Sequence, residues 1–167
     1  DFDRGVILLA NPEKTRLLVR AGYGYQSEIM DRLRTGGGFR LDRPESRGVF
    51  VVCFREQRPL LVNDIAEVEK FFSPRSLEFA QATGVKSFIC CPIVYEEEPL
   101  GVLAVDNCRS KRPLLERDLN LLMGIAPQIG ISIHNARLTE GRLKQFQSII
   151  QALVASTEAR DPITAGH

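Results

Sequence analysis

The sequence predicts an α+β fold: an antiparallel sheet accompanied by helices and closed by a long C-terminal helix. Three observations predict it. Two pairs of apolar runs are each joined by a turn-forming cluster, Asn11-Pro12-Glu13-Lys14 in the first pair and Glu96-Glu97-Glu98-Pro99 in the second. Helix start and stop signals lie between the pairs. From Leu115 onward, apolar residues step by four and three, as they do along one face of a helix.

Gly5 to Ala10 and Thr15 to Ala21 form the first hairpin, ended by Gly22-Tyr23-Gly24. Ser27 to Arg34 then places Ile29, Met30 and Leu33 at helical spacing before the three glycines 36–38 stop the helix. Those glycines lack the Lys-Ser/Thr that completes a phosphate loop, so they read as a flexible connection. Gly48 to Glu56 is a short apolar run that periodicity alone leaves open between a strand and a helix. Pro59 to Asn63 is a short strand, and Pro74 to Thr83 is a helix with Pro at its start and Gly84 beyond its end. Lys86 to Tyr95 and Leu100 to Asp106 are the strongest strand signals and pair as a second hairpin.

In the C-terminal part, Leu115, Leu119, Leu122, Ala126, Ile129, Ile133 and Ala136 form the seam of a coiled coil. A second seam, Leu143, Phe146, Ile150, Leu153 and Thr157, runs one residue out of phase with it. The slip near Gly141 predicts a hinge or stutter, and Pro127 predicts a kink. An unbroken helix from Leu115 to Ala159 would reach about 67 Å at ~1.5 Å per residue, too long for a domain of this size to cover. It therefore calls for a partner helix.

Composition narrows the function. The 167 residues suit one domain with an appendage, and 44% hydrophobic with 26% charged residues is ordinary for a globular chain. Lys+Arg 22 against Asp+Glu 21 gives a net charge of +1, which argues against nucleic acid as a direct partner. No stretch is apolar over the ~20 residues that a membrane span needs. The opening DFDRGVILLA has neither an initiator Met nor a basic leader, so the chain is expected to be cut from a longer protein. Cys53, Cys90, Cys91 and Cys108 lack the spacing of a disulfide framework or zinc site and read as reduced cytoplasmic thiols.

The order of elements, with PLLVNDI, VKSFICCPIVYEEEPLGVLAVDN and a terminal helix containing APQIGISIHNARL, resembles a GAF domain over residues 1–138. Pro92, Gly101 and Asp106-Asn107 carry much of that resemblance. It implies a GAF-like central antiparallel sheet of five or six strands, helices on both faces, a small-molecule pocket on one face, and a dimeric terminal helix that continues as a signalling helix over 139–159. It also makes Gly48 to Glu56 a helix over the pocket, and implies that the family's opening helix is missing here. The last residues, STEARDPITAGH, resemble the start of an HD-GYP domain, a metal-dependent cyclic di-GMP phosphodiesterase. The match rests on Glu158, Arg160, Asp161, Pro162, Thr164, Gly166 and His167, with 160–167 as the truncated start of that output domain. Its catalytic motif and divalent metal would belong to sequence beyond His167.

For the pocket, the segment Val49 to Phe88 offers an apolar wall with a few polar groups. Phe50, Phe54, Asp64, Phe72, Arg75 and Phe79 are its candidate lining, with Cys91 and Ile93 in the sheet floor. The plainer alternative is that the aromatics fill a core and Asp64 caps a turn. The ligand itself is unknown. The Asn-Lys-Phe-Asp-Glu pattern of cyclic-nucleotide-binding members is absent after Asn63, and no cysteine has the context that holds a bilin. His134 reads as a partly exposed polar residue rather than a haem ligand. The expected function is regulatory sensing that controls an HD-GYP output through the dimeric helix, with no catalysis in this fragment. The alternatives are a ligand-free dimerisation module and a thiol enzyme similar to methionine sulfoxide reductases, in which Cys91 and Cys108 would have to meet.

Overall fold

The computed structural model describes residues 2–138 and Leu153. The second seam apart from Leu153, the slip at Gly141 and the terminal segment 156–167 lie outside the described residues. The chain divides into two compact units, Asp1–Gly130 and Ile131–His167.

The first unit is built on a six-stranded antiparallel sheet. Its strands are β1 (Arg4–Ala10), β2 (Arg16–Tyr23), β3 (Phe39–Arg40), β4 (Leu60–Val62), β5 (Phe88–Tyr95) and β6 (Glu98–Asp106), in the spatial order β3-β2-β1-β6-β5-β4. Both expected hairpins are present, β1 with β2 and β5 with β6. The second turn is tighter than the sequence suggested. Only Glu96 and Glu97 connect the strands, both at positive φ, which matches the right-handed twist of a two-residue hairpin. Glu98 and Pro99 are therefore already in β6. The two-residue β3, paired through Arg16 with Arg40 and Leu17 with Phe39, was not anticipated, since two residues after a glycine run carry no alternation.

Among the described residues, four α-helices accompany the sheet: α1 (Ser27–Thr35), α2 (Val49–Glu56), α3 (Pro74–Thr83) and α4 (Glu116–Leu138). The ambiguous run after Gly48 is thus a helix. Ser73 caps α3 by accepting from the Ser76 amide, and Gly84 closes it in the left-handed conformation. Asp118 accepts from the Leu115 N–H at 2.8 Å and so caps α4 by reaching back one turn.

Side-chain alternation gives the sheet two different faces. Val6, Leu8, Cys90, Val102 and Ala104 share one apolar cluster with Met30 and Leu33 of α1 and with Val49, Cys53 and Phe54 of α2. The opposite face of β5 meets α4 at Gly130. A Cβ on Gly130 would lie 2.3 Å from the Val94 carbonyl oxygen and 3.7 Å from Ile93 Cγ2, so only glycine allows this approach. Gly101 has the same role within the sheet, where a Cβ would lie 2.0 Å from the Leu8 carbonyl oxygen.

The seam expectation needs correction here. Leu122 and Ala126 are buried at 3% and 2% exposure within the single chain, on the same side of α4 as Gly130, so they serve the domain's own core. Leu115 is exposed, Leu119, Ile129 and Ile133 are half-buried, and further exposed apolar groups, Leu121, Ile125, Ile131 and Leu138, lie beside the seam. The α-helix runs unbroken through Pro127.

Candidate functional site

On the α2 and α3 side, the sheet floors an apolar cavity. Phe39, Phe50 and Phe79 meet pairwise edge to face at centroid distances of 5.2 to 5.5 Å, and Phe88 of β5 joins Phe50 at 6.0 Å. The remaining cavity is about 40 Å³, also bordered by Val6, Tyr25, Phe72 and Asp106. That is far below the ~300–1,000 Å³ of a typical ligand pocket. The aromatic rings fill the space.

One wall of this cavity is ionic. Arg4 donates from Nε and Nη2 to the two Asp106 carboxylate oxygens at 2.9 and 2.8 Å, and its guanidinium lies 4.7 Å from the Tyr25 ring centroid. Its remaining nitrogen donates to the Thr83 carbonyl at 2.6 Å, tying the pair to the end of α3. Burial works against the Arg4 charge, but hydrogen bonding and the charge of Asp106 outweigh it and raise its pKa. Burial likewise pushes the Tyr25 hydroxyl well above its usual range, with the Asp106 charge adding to it.

Outside the aromatic cluster lies a much larger open groove of about 600 Å³, which shares Phe39, Phe72 and Ser76 with the inner cavity. It is strongly cationic: Arg16, Arg40, Arg43, Arg47, Lys70 and Arg75 line it, and among the described residues Glu45 is the carboxylate on its wall. Phe71 projects at its rim, 49% exposed, with the Lys70 ammonium 5.1 Å from its ring centroid.

The structure distributes the expected lining residues among different places. Phe50, Phe72 and Phe79 border the cavity. Phe54 does not; it is buried in the core cluster on α2. Asp64 is exposed and accepts from the Ala66 amide at 3.0 Å, the turn-capping alternative. Arg75 lines the outer groove and pairs with Glu78 at 3.0 Å. Cys91 and Ile93 must be removed from the cavity floor. Ile93 faces Gly130, and Cys91, two residues away along β5, shares that face. The floor is made instead by Phe88 and Ala104.

The thiol-enzyme arrangement is not assembled. Cys91 is fully buried, and burial pushes its thiol up to about 12. Cys108 instead donates to the Gly84 carbonyl at 3.6 Å. The thiol that Cys90 does meet is Cys53, on α2. Among the described residues, no group of His, Cys, Asp and Glu side chains could hold a metal ion.

Residue-by-residue reading missed Tyr25, Phe39, Phe88 and Asp106 in the cavity, and Arg16, Arg43, Arg47 and Lys70 in the groove. A signal for the groove was present. Residues 32–58 hold seven arginines against three acidic residues, an excess that the near-neutral total hides.

A six-stranded antiparallel sheet with an aromatic-lined cavity on one face and a long helix on the other is an architecture of sensory and regulatory domains. Residues 1–133 match the family profile of the GAF domain, and the chain belongs to that family. It is similar to the Nif-specific regulatory protein of Herbaspirillum seropedicae, at 26% identity over 141 residues. That alignment covers 84% of this chain but 24% of the relative, so the chain spans about a quarter of that protein's length. Among solved structures, residues 122 to 287 of a methyl-accepting chemotaxis protein superpose with a TM-score of 0.64 at 28% identity, covering 82% of this chain and 80% of that one. A GAF domain/HD domain protein from Geobacter sulfurreducens shares the fold, with a TM-score of 0.65 at 9% identity and coverage of 83% and 84%. The chain is therefore a sensory and regulatory module of the kind that signalling proteins carry. No described helix is long and apolar enough to cross a membrane.

Proposed function

We propose that this GAF domain is the cytoplasmic sensor of a longer signalling protein, and that it controls a C-terminal HD-GYP-type cyclic di-GMP phosphodiesterase through a homodimeric helix. The observation that carries the reading is the seat of Gly130 on β5. That strand presents Phe88 to the cavity on its other face, so cavity and helix share one backbone. A ligand can bias such a relay only by binding one arrangement more tightly than the other. The domain plan is a sensor over 1–138, a signalling helix over 139–159 and the start of the output domain over 160–167. The output assignment rests on the resemblance of the terminal STEARDPITAGH. The Geobacter relative, by its name, combines a GAF domain with an HD domain. Leu121 and Ile125, 53% and 42% exposed at i,i+4 spacing on α4, supply an apolar strip for a second copy.

The test is cyclic di-GMP hydrolysis by the full-length protein with and without residues 1–138. Activity that changes several-fold supports control by the sensor, and unchanged activity rejects it.

One observation favours a second reading, a dimerisation module without a ligand: the aromatic cluster leaves only about 40 Å³ unfilled. Absence of any thermal shift across a metabolite panel would favour that reading.

A further inference from the structure

The groove outside the aromatic cluster has the makings of an anion site built in advance. Two of its arginines, Arg43 and Arg47, are presented by a loop whose carbonyl oxygens a single side chain gathers. Arg55, on α2, donates to four carbonyl oxygens of that loop: Arg43 at 3.0 Å, Ser46 at 3.1 Å, Pro44 at 3.3 Å and Leu41 at 3.5 Å. The loop thus has its backbone oxygens drawn toward Arg55, while Arg43 and Arg47 line the open groove. Across the groove, the Arg75 guanidinium occupies the space over Gly36, where a Cβ would overlap it, so the glycine stretch admits the arginine. Arg40 and Arg75 each have a carboxylate partner, Asp42 and Glu78. Arg43 and Arg47 have none among the described residues, and Arg16 makes no direct ion pair although its charge acts on Asp42: Arg47 donates to the Pro44 carbonyl and Arg16 to that of Gly37. Like charges held together in a concave wall attract an anion of matching multiplicity, and guanidinium forks match phosphate oxygens. The exposed ring of Phe71 at the rim, beside Lys70, offers a flat apolar surface next to that charge.

We infer that this groove binds a nucleoside di- or triphosphate, its phosphates on Arg43, Arg47 and Arg16 and its base against Phe71. This deepens the sensor reading and rests on it by placing the ligand in the open groove rather than among the packed phenylalanines. The volume agrees, since about 600 Å³ falls within the range of small-molecule sites whereas the inner cavity does not.

Calorimetric titration of the 167-residue chain with ATP, pyrophosphate and adenosine, in EDTA, tests it. ATP is expected to bind more tightly than pyrophosphate, and adenosine not to bind at millimolar concentration. Raising the salt should weaken ATP binding several-fold. The double variant R43A/R47A, at exposed positions and checked for an unchanged melting temperature, should lose at least about tenfold in ATP affinity, and R43K/R47K should recover part of it. Phe71→Ala should weaken ATP several-fold and leave pyrophosphate unchanged. The inference is overturned if neither ATP nor pyrophosphate binds, if adenosine binds as well as ATP, or if R43A/R47A binds ATP like the parent. These titrations report on the groove alone. Sensor control fails separately, through the output assay on the full-length protein.

Discussion

Arg4 and Asp106 face one another across the β1–β6 ladder and close a two-point ion pair inside the protein, 7% and 3% exposed. Both fall on the cavity face of their strands, so two charges sit at the edge of an aromatic core. The pair is held by more than itself. Asp106 also accepts from the Cys108 amide at 3.0 Å, and Arg4 reaches Thr83, so the start of β1, the end of β6 and the end of α3 converge on it.

Removing one partner should therefore be severe. Asp106→Ala leaves a guanidinium buried without its counter-charge and is expected to cost about 3–5 kcal/mol in urea denaturation, whereas the double variant R4M/D106L should recover a large part of that loss.

The two glycines of α4 should respond oppositely to the same change. Gly130→Ala drives a methyl group into the Val94 carbonyl and should destabilise by about 1–3 kcal/mol. At Gly124 a Cβ meets nothing within 4 Å among the described residues, so Gly124→Ala should stabilise by about 0.5–1 kcal/mol through helix propensity alone. Chemical denaturation of the two variants side by side checks both.

Acid should loosen the start of α4. The Leu115 amide holds the Asp118 carboxyl below its ordinary value against the opposing effect of burial, with Arg112 helping at 3.5 Å. The folded chain thus releases this proton more readily than the unfolded one. The stability Asp118 supplies is complete above the unfolded value near 3.8 and disappears as pH falls through the lower folded value. Asp118→Asn should flatten the decline in urea midpoint between about pH 5 and pH 2.

Thiol chemistry should find a single accessible group. Cys53, Cys90 and Cys91 are fully buried, and Cys108 is half-buried at the surface. A thiol reagent should modify one cysteine in the native protein and four after denaturation, and Cys108→Ser should abolish the native reaction.

The elements legible in the sequence were those with a period or a cap. The β5–β6 hairpin announces itself by two nearly continuous apolar runs about a charged turn, and α3 by Pro74 and Gly84 at its two ends. The run after Gly48 could be placed only by family resemblance, since eight largely apolar residues bear no preference between strand and buried helix. The site was less legible because facing depends on register. Cys91 looked like cavity floor, yet a one-residue step along β5 exchanges Phe88 and Cys90 for Ile89 and Cys91. The coiled-coil seam is legible only in part for a related reason: a stripe at 4-3 spacing demands cover, and Leu122 and Ala126 are already buried within the single chain. The groove depends on residues as far apart as Arg16 and Arg75, which only the folded chain brings together.

The double duty of β5 sets a mechanical scale for the domain. Phe88 and Val94, whose carbonyl seats Gly130, stand at opposite ends of this strand, about 20 Å apart at ~3.3 Å per residue, so a push at the one reaches the other only along an extended backbone that has little length to give. Lateral slack is small as well, because β5 is flanked by β4 on one edge and β6 on the other. The stiffness of this one strand along its length thus governs how faithfully the aromatic floor and the helix seat move together.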